Sequence, residues 1–323
     1  MYECIKTIIE NEKIDGIVIG SNVYLMNYFS PIYNHVRQSK LPVTVPKFPL
    51  TYSNIDKFMF PASGQRFLVF GGGKLIDFTK ICAQRDQVSL IVLLSSISND
   101  GFSSSFSSLK PDEKSYNQSY KSKPPKAVYA CLPLLNKYMP HRFWVSGLGE
   151  LLSKLNVWED LKIDKKVKEF DQTPFYKIEE FINKYTKRNE NSLIELIKQL
   201  YSFSLLMKND SSWCSRSEHE FEKLYADSQM SHGQLVLMGA LVAMKIRCIY
   251  NFPDLYERIL YYCQKLEINL ELKQGFDTLI ISNTYKRMKK LSSVRPERFG
   301  LWNLVDSTTV DWKMIIKEII KEL

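Results

Sequence analysis

The stretch FLVFGGGKLIDFTKICAQR, residues 67–85, decides the fold class. Phe67–Phe70 is a short apolar run, three glycines and a lysine follow it, and a periodic apolar segment opens directly behind them. That order reads as strand, tight turn, helix. With no side chains at Gly71, Gly72 and Gly73 the backbone can approach a ligand closely. A helix starting there also offers free N–H groups and partial positive charge. Such a turn suits a phosphate. A plain tight turn is the other reading, because the spacing is neither G-x-x-x-x-G-K-[ST] nor G-x-G-x-x-G.

Outward from this stretch, Lys13–Gly20 (KIDGIVIG) ends in a β-branched run, Val88–Ser96 (VSLIVLLSS) is continuously apolar like a buried strand, and Lys126–Pro133 (KAVYACLP) reads as a further strand. Strands alternating with helices predict βαβ units and a parallel sheet. Ser98–Pro125, rich in Ser, Lys, Asn and Pro, is expected to be a long loop of the kind that often carries function. Beyond residue 145 the period changes. Leu148, Leu151, Leu152 and Leu155 recur at helical spacing, and 176–187, 191–208, 217–227, 232–250 and 253–266 read as helices, with no strand among them. The change predicts a boundary near Phe143–Ser146, with a Rossmann-like α/β domain over 1–144 and an all-helical domain over 145–323.

Composition narrows the classes. Of 323 residues, 45% are hydrophobic and 24% charged, as in a folded globular chain and unlike a disordered or fibrous one. The longest apolar run, Leu235–Met244, falls well short of the ~18 residues of a membrane span, so none is expected. The opening MYECIKTIIENEK carries acids where a secretory signal is apolar, which predicts a cytoplasmic protein. The net charge of +9 is uneven: residues 1–144 hold 17 basic and 10 acidic side chains, a net of +7, against 27 and 25, a net of +2, in 145–323. A basic first half suits phosphate-bearing ligands or is a solvated surface. The lack of a dense Lys/Arg block and of zinc-finger spacing argues against nucleic acid. The six cysteines form no CxxC pair and read as reduced thiols.

Of the four histidines, at 35, 141, 219 and 232, the last two are thirteen residues apart. At ~100° per residue they face different ways on one straight helix, so sharing a ligand requires two helices. Asp227–Met230 interrupts the apolar pattern and supplies the break. Ser231 with Gln234 three residues on has capping-box spacing, which makes His232 the first helical residue. The positive helix end is expected to keep that imidazole neutral and able to bind a metal. His219 and Lys223 share the helix face opposite Phe221, Leu224 and Tyr225. Surface or core histidines are the alternative.

Together these segments resemble the iron-containing alcohol dehydrogenase and dehydroquinate synthase superfamily, in particular its glycerol-1-phosphate dehydrogenase branch. GGGKLIDFTK (71–80) resembles the GGGKxxDxAK cofactor turn, and SSISNDGFSSSFSSL (95–109) the branch's TxxSHDGIASPFASI loop. SEHEF (217–221) with HGQLVLMG (232–239) resembles the SEHxF and HGEQVGxG pair, and RPERF (295–299) a late RPxRY element. The resemblance implies NAD or NADP bound at Gly71, Gly72, Gly73, Lys74, Asp77, Ser95, Ser96 and Ser98. It implies one divalent metal, zinc first, with iron or nickel as alternatives, on Glu150, His219 and His232, and a substrate in a cleft. Asp100 would orient substrate hydroxyls, Arg295 and Arg298 are candidates for its phosphate, and Lys223 would exchange protons where the family often has a second histidine. Glu150 stands where the dehydrogenases usually have aspartate, and Gln234 where they have glutamate. The implied activity is hydride transfer between NAD(P)H and a small phosphorylated polyol or ketone, first sn-glycerol 1-phosphate and dihydroxyacetone phosphate, with a homodimer as the assembly to test. A sugar-phosphate cyclase and a non-catalytic relative are the competing readings.

Overall fold

The computed structural model describes residues 2–20, 30, 36, 40–61, 63–115, 117–166, 169, 171–208, 210–224, 230–250, 255–268 and 311–322. The contacts divide the chain into two units: Met1–Trp144 with 188–197 and 207–209, and the remainder from Val145. The sequence reading expected a boundary near Phe143–Ser146. The return of 188–197 and 207–209 to the first unit has no counterpart in that reading.

Unit one is built on a five-stranded sheet in the order β2-β1-β3-β4-β7, with every pairing parallel. The strands are β1 (Gly16–Ile19), β2 (Val43–Thr44), β3 (Arg66–Gly71), β4 (Ser89–Leu94) and β7 (Ala127–Tyr129). Thr44, Val18, Val69, Val92 and Val128 lie in one row across it. Phe67–Phe70 and Leu90–Leu94 are buried along their whole length, as unalternating apolar runs require of strands covered on both faces. Helix α1 (Tyr2–Glu12) precedes β1, and α2 (Gly73–Arg85) returns from β3 to β4. The chain leaves β1 for β2 on one side and comes back to β3 on the other. The strand order therefore switches between β1 and β3, and the carboxyl ends of strands flanking such a switch are where open α/β sheets bind ligands. Gly71–Gly73 closes the carboxyl end of β3, tied to β1 by the Gly20 N–H donating to the Phe70 carbonyl at 3.2 Å.

The expected long loop at 98–125 is a correction. It contains an antiparallel pair, β5 (Phe106–Leu109) and β6 (Gln118–Lys121). The serine-rich composition hides these strands because α2 anchors them with polar groups. The Lys80 ammonium, fully buried, reaches the Gly101 and Phe106 carbonyls at 2.9 and 2.5 Å, and Asp77 Oδ2 accepts from the Ser108 N–H at 3.1 Å.

Unit two is helical, with no strand among its described residues. It starts within α4 (His141–Ile163), which follows the short α3 (Leu132–Tyr138), and continues through α5 (Thr173–Lys184) and the second part of α6 (Glu190–Leu206). After these come α7 (Ser217–Leu224), α8 (His232–Ile249), α9 (Tyr256–Lys265) and α10 (Trp312–Glu322). By length and composition α8 is apolar enough to cross a membrane, which the ten-residue run did not suggest. Its residues are nevertheless mostly buried inside the unit, where Arg247 pairs with Asp160 and Asn156, the character of a core helix.

Candidate metal centre and nucleotide turn

Two glycines set the geometry of the second unit's site. A Cβ on Gly149 would lie 2.4 Å from the Gly233 carbonyl oxygen, and one on Gly233 only 1.7 Å from the Ser146 carbonyl oxygen. Backbones of α4 and α8 therefore touch, and the Gly233 N–H donates to Ser146 Oγ at 2.9 Å. This approach sets Glu150, on α4, beside His232 at the start of α8. Ser231 is the N-cap, with its N–H and hydroxyl donating to Gln234 Oε1 at 3.0 and 2.7 Å, so the capping box forms as read. Gln234 thus has a local folding role.

Helix α7 brings His219 to the same place. His232 Nε2 lies 3.1 Å from Glu150 Oε2 and His219 Nε2 lies 3.6 Å from Glu150 Oε1, with the two rings 5.4 Å apart. One ligand atom from each residue falls within 4.8 Å of the others. Tetrahedral coordination at about 2.0–2.2 Å separates ligand atoms by about 3.3 Å, so one carboxylate and two imidazoles at these distances fit a divalent ion. Carboxylates also stand behind both rings: Glu218 Oε1 is 2.8 Å from His219 Nδ1, and Glu222 Oε1 is 3.5 Å from His232 Nδ1. A carboxylate on Nδ1 directs Nε2 to the ion.

Lys154, one turn after Glu150 on α4, is fully buried and donates to Glu150 Oε1 at 2.5 Å and to the Cys214 carbonyl at 2.7 Å. Burial alone would raise the Glu150 pKa; Lys154 first, then His219 and His232, hold it well below the usual carboxylate range. A neutral His232 is the expectation at this helix start, and burial favours it, but Glu150 and Glu222 hold the imidazole pKa well above the ordinary range. Two full negative charges at contact outweigh the partial charge of about +0.5 at a helix N-terminus. Neither Lys154 nor Glu222 was singled out from sequence; the i, i+4 spacing of Glu150 and Lys154 was the available signal. Lys223 follows His219 by one turn of α7, but its side chain lies outside the described residues. So do the face it was expected to share against Phe221, Leu224 and Tyr225, the break at 227–229, and Arg295 and Arg298.

In unit one the three glycines differ. A Cβ on Gly71 would meet Leu75 at 2.5 Å and one on Gly73 would meet Asn99 Nδ2 at 2.4 Å, so both make room for neighbours. A Cβ on Gly72 would meet only Ser96 Oγ, at 3.2 Å, and its φ of −95° is open to any residue. Chain neighbours aside, no other described atom lies within 4 Å of that point, at the first turn of α2, so the turn is a cradle of the kind that suits a phosphate group. Ser95 and Ser96 are buried beside it, with the Ser95 N–H donating to the Gly71 carbonyl at 3.3 Å; Ser98 is half-buried and Lys74 exposed. Asp77 pairs with Lys80 at 2.9 Å and, with Lys80, braces the turn that carries the buried Asp100. The role of Lys80 was not read from sequence, although it closes the GGGKLIDFTK motif.

With this parallel sheet and its glycine turn, and the helical unit with its Glu-His-His cluster, the chain is similar to iron-containing alcohol dehydrogenases in part of its sequence and in its fold. The profile of the family described as iron-containing alcohol dehydrogenase matches residues 17–136. Among its relatives, the glycerol-1-phosphate dehydrogenase [NAD(P)+] of Saccharolobus islandicus (strain M.14.25 / Kamchatka #1) is 28% identical over 253 residues, covering 72% of this chain and 68% of the relative. In fold, a probable glycerol dehydrogenase from Sinorhizobium meliloti 1021 matches with a TM-score of 0.67 at 14% identity, over 99% of this chain and 93% of that one. The 2-epi-5-epi-valiolone synthase of Streptomyces hygroscopicus subsp. jinggangensis 5008, a structure with NAD+ and Zn2+ bound, matches with a TM-score of 0.61 at 12% identity, over 97% and 92%.

Proposed function

We propose that this chain is a metal-dependent oxidoreductase that moves hydride between NAD(P)H and a small phosphorylated polyol or ketone, with sn-glycerol 1-phosphate and dihydroxyacetone phosphate as the pair. The observation that carries the reading is the convergence of Glu150, His219 and His232, in a chain similar to glycerol-1-phosphate dehydrogenases. A divalent ion on these three residues supplies Lewis-acid polarisation of a substrate oxygen, and the nicotinamide supplies the hydride. The protein's own groups do the rest. Gly72 leaves room for the diphosphate, with Gly71, Gly73, Lys74, Asp77, Ser95, Ser96 and Ser98 around it. Asp100 orients substrate hydroxyls, Arg295 and Arg298 hold the phosphate, and Lys223 exchanges the proton.

The cyclase reading has one specific observation in its favour, the longer arm of Glu150 at the position where dehydrogenases usually carry aspartate. Cofactor balance separates the two. Purified protein incubated with zinc, dihydroxyacetone phosphate and NADH or NADPH should consume reduced nicotinamide in step with product, and a chelator should stop it. A constant level of reduced nicotinamide, with a sugar phosphate converted to a carbocycle, would replace the dehydrogenase reading with the cyclase one.

A further inference from the structure

Helix α7 carries Glu218 and Glu222 one turn apart, and they serve histidines on two different helices. Glu218 meets Nδ1 of its own neighbour His219 at 2.8 Å, while Glu222 lies 3.5 Å from Nδ1 of His232 on α8. His232 Nε2 points the other way, 3.1 Å from Glu150. An imidazole that offers Nε2 to a metal carries its proton on Nδ1, so an acceptor on that side selects the tautomer and fixes the ring. Glu222 is itself buried, as are Glu150 and Glu218. A carboxylate is rarely placed out of water unless it is paired.

Charge points the same way. Among the described residues, three buried carboxylates, Glu150, Glu218 and Glu222, stand around the two imidazoles and the Lys154 ammonium, an acid-rich donor set that suits a divalent cation, and Glu222 is the carboxylate on the Nδ1 side of His232.

We infer that Glu222 is a positioning residue of the metal centre, holding His232 with its Nδ1 proton on the Glu222 carboxylate and adding a negative charge behind the ring that meets the cation. The inference rests on the metal reading above and adds to it a residue that the family resemblance does not assign; the resemblance directs attention to position 223.

Two variants separate orientation from charge. Glu222→Gln keeps an acceptor oxygen and loses the charge, whereas Glu222→Ala loses both. Zinc dissociation constants would be measured by competition with a chromophoric chelator. The tautomer of His232 in the zinc-loaded protein would be read from nitrogen chemical shifts after 15N-histidine labelling. Glu222→Ala should weaken zinc binding by about 10–100-fold, the usual weight of such a partner, with Glu222→Gln between it and the parent protein. His232 should show an Nδ1–H tautomer in the parent protein and lose it in Glu222→Ala. If Glu222→Ala does not fold, the near-isosteric Glu222→Gln decides on affinity alone. Zinc affinity within twofold of the parent in the folded variants, or coordination of His232 through Nδ1, would overturn the inference while leaving the three-ligand centre standing. A parent protein that takes up no zinc, iron or nickel would overturn both.

Discussion

At the scale of single residues, the behaviour of His232 is set by what lies across the helix gap. Its position at the start of α8 argued for a neutral ring, but Glu150 and Glu222 reverse that preference in the metal-free protein. The sign follows from linkage. A folded-state pKa raised above the unfolded value of about 6.5 stabilises the metal-free fold at low pH, and that stabilisation fades as pH rises through the folded value. A cation on Nε2 must displace the same proton. Zinc uptake should therefore release a proton, and apparent affinity should rise with pH, by up to about tenfold per unit, until pH passes the raised value. Calorimetry in buffers of different protonation enthalpy measures the release; heats independent of the buffer would show that His232 binds metal from the neutral state. The histidine pair was legible in the sequence because thirteen residues and a broken pattern demanded two helices. Lys154 and Glu222 were not, since their meaning depends on which helix lies opposite, and linear spacing does not encode that.

At the scale of elements, the centre depends on how closely α4 and α8 approach. Gly233 lies where a single methyl group would overlap the Ser146 backbone, and backbone cannot rotate out of the way as a side chain can. Gly233→Ala should force the helices apart, destabilise the fold by about 3 kcal/mol or more, and lower zinc occupancy as Glu150 and His232 separate. Gly101→Ala, whose Cβ would meet no atom closer than 3.8 Å, is the control and should change stability by only about 0.5 kcal/mol. Thermal melts with elemental analysis test the pair, and an unperturbed Gly233→Ala would mean that the close crossing is not needed. The same scale marks what could be read in advance. β3 and β4 were plain from continuous apolar runs, and the helices of unit two up to α9 from their period, whereas α10 was not read. The β5–β6 pair was hidden because Phe106–Leu109 and Gln118–Lys121 are polar strands held by the buried Lys80 and by Asp77. Composition describes the strand, whereas here the anchor belongs to another element.

At the scale of the whole molecule, the two candidate sites belong to different parts of the chain. Every donor of the Glu150, His219 and His232 cluster, with Lys154, Glu218 and Glu222, belongs to unit two. The cradle over Gly72, the serines beside it and the Asp77–Lys80 brace all belong to unit one. Each unit has its own core, and neither set of residues includes a member from the other, so the two binding steps should be separable by mutation. Gly72→Val would fill the cradle at the first turn of α2, where only Ser96 stands near and the backbone angles admit a side chain. Nucleotide should then lose its approach to the helix N-terminus while the fold survives. NAD(P)H affinity, followed by fluorescence titration, should fall by about 100-fold, equivalent to about 2.7 kcal/mol, with zinc content unchanged. His232→Ala should do the reverse, losing or greatly weakening zinc while NAD(P)H still binds to the other unit. Unchanged nucleotide affinity in Gly72→Val would reduce the glycine turn to a structural feature. Undiminished zinc in His232→Ala would remove that histidine from the centre.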